Sequence, residues 1–126
     1  MTGDAAVARA RSALGARFRP QGRDPASGLD CSGLVAFAWA TPAPEGYGLR
    51  GGRIDTLAAG LAARGFREAD TPAPGDVLIF ASGPGQWHLG IGLGEAGLIH
   101  ADAALRRVVE RPGAWPWPLI GNWRRD

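Results

Sequence analysis

The chain of 126 residues has one cysteine, Cys31, and two histidines, His88 and His100. Cys31 lies in the stretch GLDCSGLV, directly after Asp30 and at the head of an apolar run. Asp30 is a strong N-cap residue, so a helix is expected to begin at Cys31. A thiol in the first helical turn meets unpaired N–H groups and the positive end of the helix dipole, and both favour thiolate. The same N–H groups suit the oxyanion that forms when a thiolate attacks a carbonyl. An isolated cysteine reads more often as a small buried hydrophobe. The histidines shift that balance, because a sulfur nucleophile needs a base within reach and a polar group to orient the base.

The pairing of two strand-like runs decides whether the histidines can meet. Leu89–Leu93 and Leu98–Ala101 are spaced for an antiparallel hairpin, and side chains alternate between sheet faces. A two- or four-residue loop would set His88 and His100 on opposite faces. A three-residue loop at Gly94-Glu95-Ala96 pairs Leu93 with Gly97 and Gly90 with His100. His100 then stands about 7 Å diagonally from His88 on one face, with Gly90 leaving room for its ring.

Other segments provide the frame. Ala5 to Leu14 reads as a short helix stopped by Gly15, and residues 17–28 as a loop rich in Pro, Gly and Arg. The helix from Cys31 to about Ala40 is apolar nearly all round, which predicts burial on most sides. Residues 41–52 read as a flexible connection. Asp55 is expected to cap a third helix that carries Leu57 and Leu61 and closes at Gly65. After TPAPGD, residues 71–76, come strand-length runs at Val77–Phe80, Leu89–Leu93, Leu98–Ala101, Arg107–Arg111 and Leu119–Trp123. Helices first and strands afterwards predict a single α+β domain over residues 1–126, with a mostly antiparallel sheet of about five short strands.

Composition removes several classes. All fourteen basic residues are arginine and the formal charge is only +2. No lysine is available for a Schiff base or a phosphate-binding loop, and no arginine–aromatic face suits nucleic acid. One cysteine forms no internal disulfide. The N-terminus lacks the apolar core of a signal peptide, and no run approaches the roughly 20 apolar residues of a membrane span. Membrane insertion is therefore not expected. One Cys and two His fall short of a usual hydrolytic zinc set, so neither metal nor cofactor is expected.

GLDCSGLV together with PGDVLIFASGPGQWHLGIGLGEAGLIHAD resembles the two signature blocks of the NlpC-type cysteine peptidases, bacterial cell-wall enzymes with a papain-like core. The likeness runs over about residues 5 to 111. It implies an endopeptidase acting on peptidoglycan stem peptides, typically after γ-linked D-glutamate. By motif match Cys31 is the nucleophile, His88 the base and His100 the orienting residue. Asp30 and Ser32 match positions that bind the D-glutamyl part of the substrate, and Trp87, beside His88, is a further candidate for touching it. Phe18 stands where the family has a tyrosine, and Tyr47 in the 41–52 loop is a candidate to compensate. Arg19 and Arg23 flank the expected cleft and suit substrate carboxylates. With no export signal in view, the expected context is cytoplasmic recycling or delivery to the wall by a particle, with phage-tail-like proteins as partners. An acyltransferase on the same thioester core, or a non-catalytic wall-binding or assembly module, are the other readings.

Overall fold

The computed structural model describes residues 1–42 and 53–126. Tyr47 and most of the 41–52 connection lie outside the described residues. Helix α1 spans Gly3–Ser12 and starts at Thr2, whose side chain accepts the Ala5 N–H. Two short strands follow, β1 (Arg23–Asp24) and β2 (Gly28–Leu29), paired antiparallel. Helix α2 runs Cys31–Trp39 and ends where Ala40 turns left-handed, with φ of 50°. Helix α3 spans Ile54–Ala63. Its N-cap is Arg53 and not Asp55; Asp55 sits in the first turn, where it favours the helix dipole and pairs with Arg53 at 3.1 Å.

The strands that follow are β3 (Arg67–Glu68), β4 (Val77–Gly83), β5 (Gln86–Gly92), β6 (Leu98–Asp102), β7 (Arg107–Arg111) and β8 (Leu119–Arg124). They form one antiparallel sheet of six strands in the order β3-β8-β4-β5-β6-β7. All five expected strands are present. The additional β1, β2 and β3 are two residues long, too short for side-chain alternation to reveal in a sequence.

Alternation along the strands gives the sheet two unlike faces. Val77, Ile79, Leu89, Ile91, Ile99 and Ala101 join the main core with Ala6, Ala10, Leu34, Leu57 and Leu61 from the three helices. Leu78, Phe80 and Leu98 point the other way and are covered by Trp115, Trp117 and Leu119. The apolar α2 is buried along nearly its whole length, as its composition predicts.

Two local devices hold these layers in register. Asp76 of the Pro-Gly-Asp turn is 1% exposed and takes a two-pronged contact from Arg124, at 2.9 and 2.8 Å. It also accepts the Ala73 N–H, so one carboxylate ties the turn before β4 to strand β8. Gly33 lets α2 approach the loop before β1, since a Cβ there would overlap the Gly22 carbonyl oxygen. That close approach brings the Gln21–Gly22 backbone to the head of α2, where Asp30 and Cys31 sit.

Candidate active site

Asp30 organises the start of α2. Its Oδ1 accepts the Gly33 N–H at 2.8 Å and an Arg23 guanidinium N–H at 2.9 Å, and its Oδ2 accepts the Gln21 N–H at 2.8 Å. The N-capping expected from its position is therefore present. Arg23 is committed to this carboxylate. Of the first three helical N–H groups, which have no partner inside the helix, Asp30 satisfies that of Gly33.

Cys31 occupies the first position of the helix, as expected, but its acidity does not follow the helix dipole. The side chain is 5% exposed and belongs to the main apolar cluster. Burial pushes the thiol up to about 12, and the Asp30 charge adds to that. Hydrogen bonds from the Leu89 N–H and from the Ser32 N–H and hydroxyl pull it back only in part. The expectation of a depressed thiol pKa is thus corrected. Desolvation outweighs the hydrogen bonds that favour thiolate, and the resting sulfur is a thiol.

The Leu89 contact places the sulfur against β5 at the residue next to His88. Ser32, 6% exposed, is turned toward the sulfur. Trp87 is partly buried and packs on the apolar cluster that includes Cys31. Phe18 pairs with Leu29, two residues before Cys31, and its N–H is held by the Arg106 carbonyl at 2.9 Å. Phe18 also lines a groove of about 650 Å³ with Arg17, Leu105, Arg106 and Arg107. These three arginines make no ion pair among the described residues.

The hairpin register is the predicted one. Ile91 pairs with Ile99 and Gly92 with Leu98, the register that sets Gly90 level with His100, although the paired ladder itself stops at Ile91 and Ile99. The Leu93 N–H donates to the Gly97 carbonyl across the three-residue loop. A Cβ at Gly90 would stand 2.8 Å from Leu98 Cδ1 and 3.5 Å from His100 Cβ, so glycine here admits the imidazole. The two rings meet directly, with His88 Nε2 and His100 Nδ1 2.8 Å apart. Trp117 lies against both rings, its centroid 4.9 Å from that of His88 and 5.6 Å from that of His100. The structure brings the histidines together; among the described residues, no hydrogen bond joins either ring to Cys31.

Burial pushes the His88 imidazole down to about 4, with His100 contributing and Asp102 opposing. His100 is lowered as well, first by burial, with the Arg111 charge assisting and Asp102 opposing. Both rings are therefore neutral at pH 7, as is the thiol. Among the described residues no group of three Cys, His, Asp or Glu side chains could hold a metal ion.

These shifts predict an acid-sensitive fold. An unfolded histidine titrates near 6.5, whereas folded His88 titrates near 4, so between those values the unfolded chain binds more protons. Stability is complete above about pH 6.5 and falls as pH drops toward 4, by on the order of 3 kcal/mol for this ring. Urea midpoints between pH 7.5 and 4.5 should show a steep decline in the wild type and a shallower one in His88→Gln. Equal slopes would remove the buried imidazole as the cause.

A helix headed by cysteine, docked on an antiparallel sheet that carries paired imidazoles, defines an α+β papain-like core. The chain belongs to the NlpC/P60 family of bacterial cell-wall peptidases, whose model matches residues 15–116. Among solved structures it is similar to the NlpC/p60 domain of the peptidoglycan hydrolase SagA, at 28% identity and TM-score 0.62, covering 89% of this chain and 90% of that one. NlpC2 from Trichomonas vaginalis matches at TM-score 0.72 and 20% identity over 98% of this chain and 45% of that one. The peptidoglycan hydrolase RipB from Mycobacterium tuberculosis matches at 0.63 and 22%, over 98% and 63%. The chain thus spans less than half the length of NlpC2. No curated protein sequence matches it. No helix among the described residues is long and apolar enough to cross a membrane.

In sequence, Trp117 reads only as core or lid packing near the C-terminal end, and Asp102 is not singled out there. Asp102 had a usable signal, since it stands two positions after His100 in a strand and so shares its face. Trp117 had none, because its place over the imidazoles depends on how the segment before β8 returns across the sheet.

Proposed function

We propose that this protein is a cysteine endopeptidase that hydrolyses peptidoglycan stem peptides after a γ-linked D-glutamyl residue, with residues 1–126 as one catalytic domain. The observation that carries the reading is the 2.8 Å contact between His88 on β5 and His100 on β6, with the Cys31 sulfur held by the N–H of Leu89, the residue after His88 on β5. Membership of the family and the likeness to SagA support peptidoglycan as the substrate class. The groove arginines supply charge complementary to a peptide bearing carboxylates.

The resting thiol and neutral imidazole point to base-assisted attack in place of a standing ion pair. Substrate binding brings the sulfur and His88 Nδ1 into hydrogen-bond contact, the ring nitrogen not used by His100. Such contacts are commonly long in a free enzyme. As sulfur bonds to the carbonyl carbon, its proton passes to Nδ1, and N–H groups at the head of α2 hold the oxyanion. The tetrahedral intermediate collapses, the C–N bond breaks, and the imidazolium gives its proton to the leaving amine. Water then attacks the thioester while His88 takes its proton, and the sulfur departs carrying that proton as a thiol. His100 keeps the His88 ring in orientation throughout. Asp30, Ser32 and Trp87 contact the D-glutamyl side of the cut.

Incubation of the protein with purified peptidoglycan, followed by mass spectrometry of the released muropeptides, tests this. Fragments ending in γ-D-glutamate are expected. Intact stem peptides after prolonged digestion would refute the reading.

A further inference from the structure

Strand β6 ends on Asp102, a carboxylate that the steps above do not use. Its Oδ1 accepts the Ala104 N–H at 2.8 Å and the Leu105 N–H at 3.0 Å, which pins the group in the turn after the strand. Its Oδ2 stands 3.9 Å from His100 Nε2. That nitrogen is buried and has no hydrogen-bond partner among the described residues, in a side chain 1% exposed. The separation exceeds a hydrogen bond but is well within electrostatic reach.

The direction of every proton in the pair follows from this contact. A lone pair on Nε2 would face a carboxylate oxygen across a buried gap and be repelled, whereas an N–H there is attracted. With the proton on Nε2, His100 Nδ1 carries the lone pair and must accept in the 2.8 Å contact. His88 therefore donates from Nε2, which leaves His88 Nδ1 unprotonated, the form a base requires. The opposite pattern would put N–H on His88 Nδ1 and leave the thiol without an acceptor. The remaining neighbours of His100 do not compete for this role. Arg111 on β7 disfavours its charged form, and the Trp117 ring packs edge-on.

The geometry points to Asp102 as a positioning residue that sets the protonation pattern of both imidazoles and so keeps His88 Nδ1 free to act as a base. The assignment rests on the Cys31–His88–His100 reading for its catalytic meaning, but not for its test. Because the chain has only two histidines, long-range proton–nitrogen NMR on ¹⁵N-labelled protein resolves each ring nitrogen. In the wild type both rings should carry their proton on Nε2. Asp102→Asn keeps an oxygen for the Ala104 and Leu105 N–H groups but presents an amide N–H to His100, so both rings should switch to Nδ1–H. Asp102→Ser, which removes the carboxylate and retains a turn acceptor, should give a mixture and serves if the Asn variant does not fold.

On muropeptides kcat should fall about 10- to 100-fold in Asp102→Asn with KM unchanged, less than for a directly bonded aspartate because the carboxylate stands off. Unaltered tautomers in both variants, or Nδ1–H already present in the wild type, would overturn the inference. A wild type that cleaves no muropeptide would refute the peptidase reading and leave the NMR result to decide this one.

Discussion

Replacing Cys31 by alanine is expected to abolish stem-peptide hydrolysis, by about 10⁴-fold or more, because it removes the thiol that carries the acyl group in the proposed route. The chain has no second cysteine, and the proposed route passes through a thioester. Folding should survive. The sulfur occupies a tight site in the apolar cluster, and its removal leaves a small void costing about 1 kcal/mol. Paired measurements decide the matter: muropeptide turnover followed by chromatography, and urea unfolding of the same preparations. Turnover within tenfold of the wild type would sink the nucleophile assignment. His88→Gln should lose nearly as much. Burial raises the thiol pKa, so in the proposed route the sulfur depends on that ring to take its proton.

Truncation of Phe80 to alanine should be the most damaging single change to the fold, at about 3–5 kcal/mol. Phe80 is fully buried on the sheet face away from the helices, with Trp117 at 5.7 Å and Trp115 at 6.0 Å between ring centroids. Its loss opens a void beneath Trp117, the ring that packs on His88 and His100. Most domains have only about 5–15 kcal/mol of stability, so this variant should be close to unfolding. Urea denaturation at pH 7.5 measures the loss, and Phe80→Leu should recover most of it. A cost below 1 kcal/mol for the alanine variant would show that the aromatic layer is not packed as described.

The geometry of the candidate site was legible in part. Asp30 before Cys31 announced a cap and a helix start, and the cap bonds Gly33 as its chemistry requires. The odd loop at residues 94–96 followed from alternation together with the requirement that His88 and His100 share a face, and the observed register meets it. The cap of α3 was misplaced by two residues, since Asp55 is as suitable in the first turn as before it. Arg23 gave no hint of its partner, because an exposed loop arginine looks the same whether it is free or paired with Asp30.

Residue order was enough to indicate a helix headed by a thiol, a hairpin whose three-residue loop would set two imidazoles on one face, and a helices-then-sheet layout. Each of these depends on neighbours within a few positions or on strand alternation, and both are written along the chain. The protonation state of that thiol was not, because it depends on how much water the packed fold excludes from the sulfur. Nor was the Trp117 cover over the imidazoles. Both arise where segments far apart in the chain close on each other, and burial and long-range packing have no local signature.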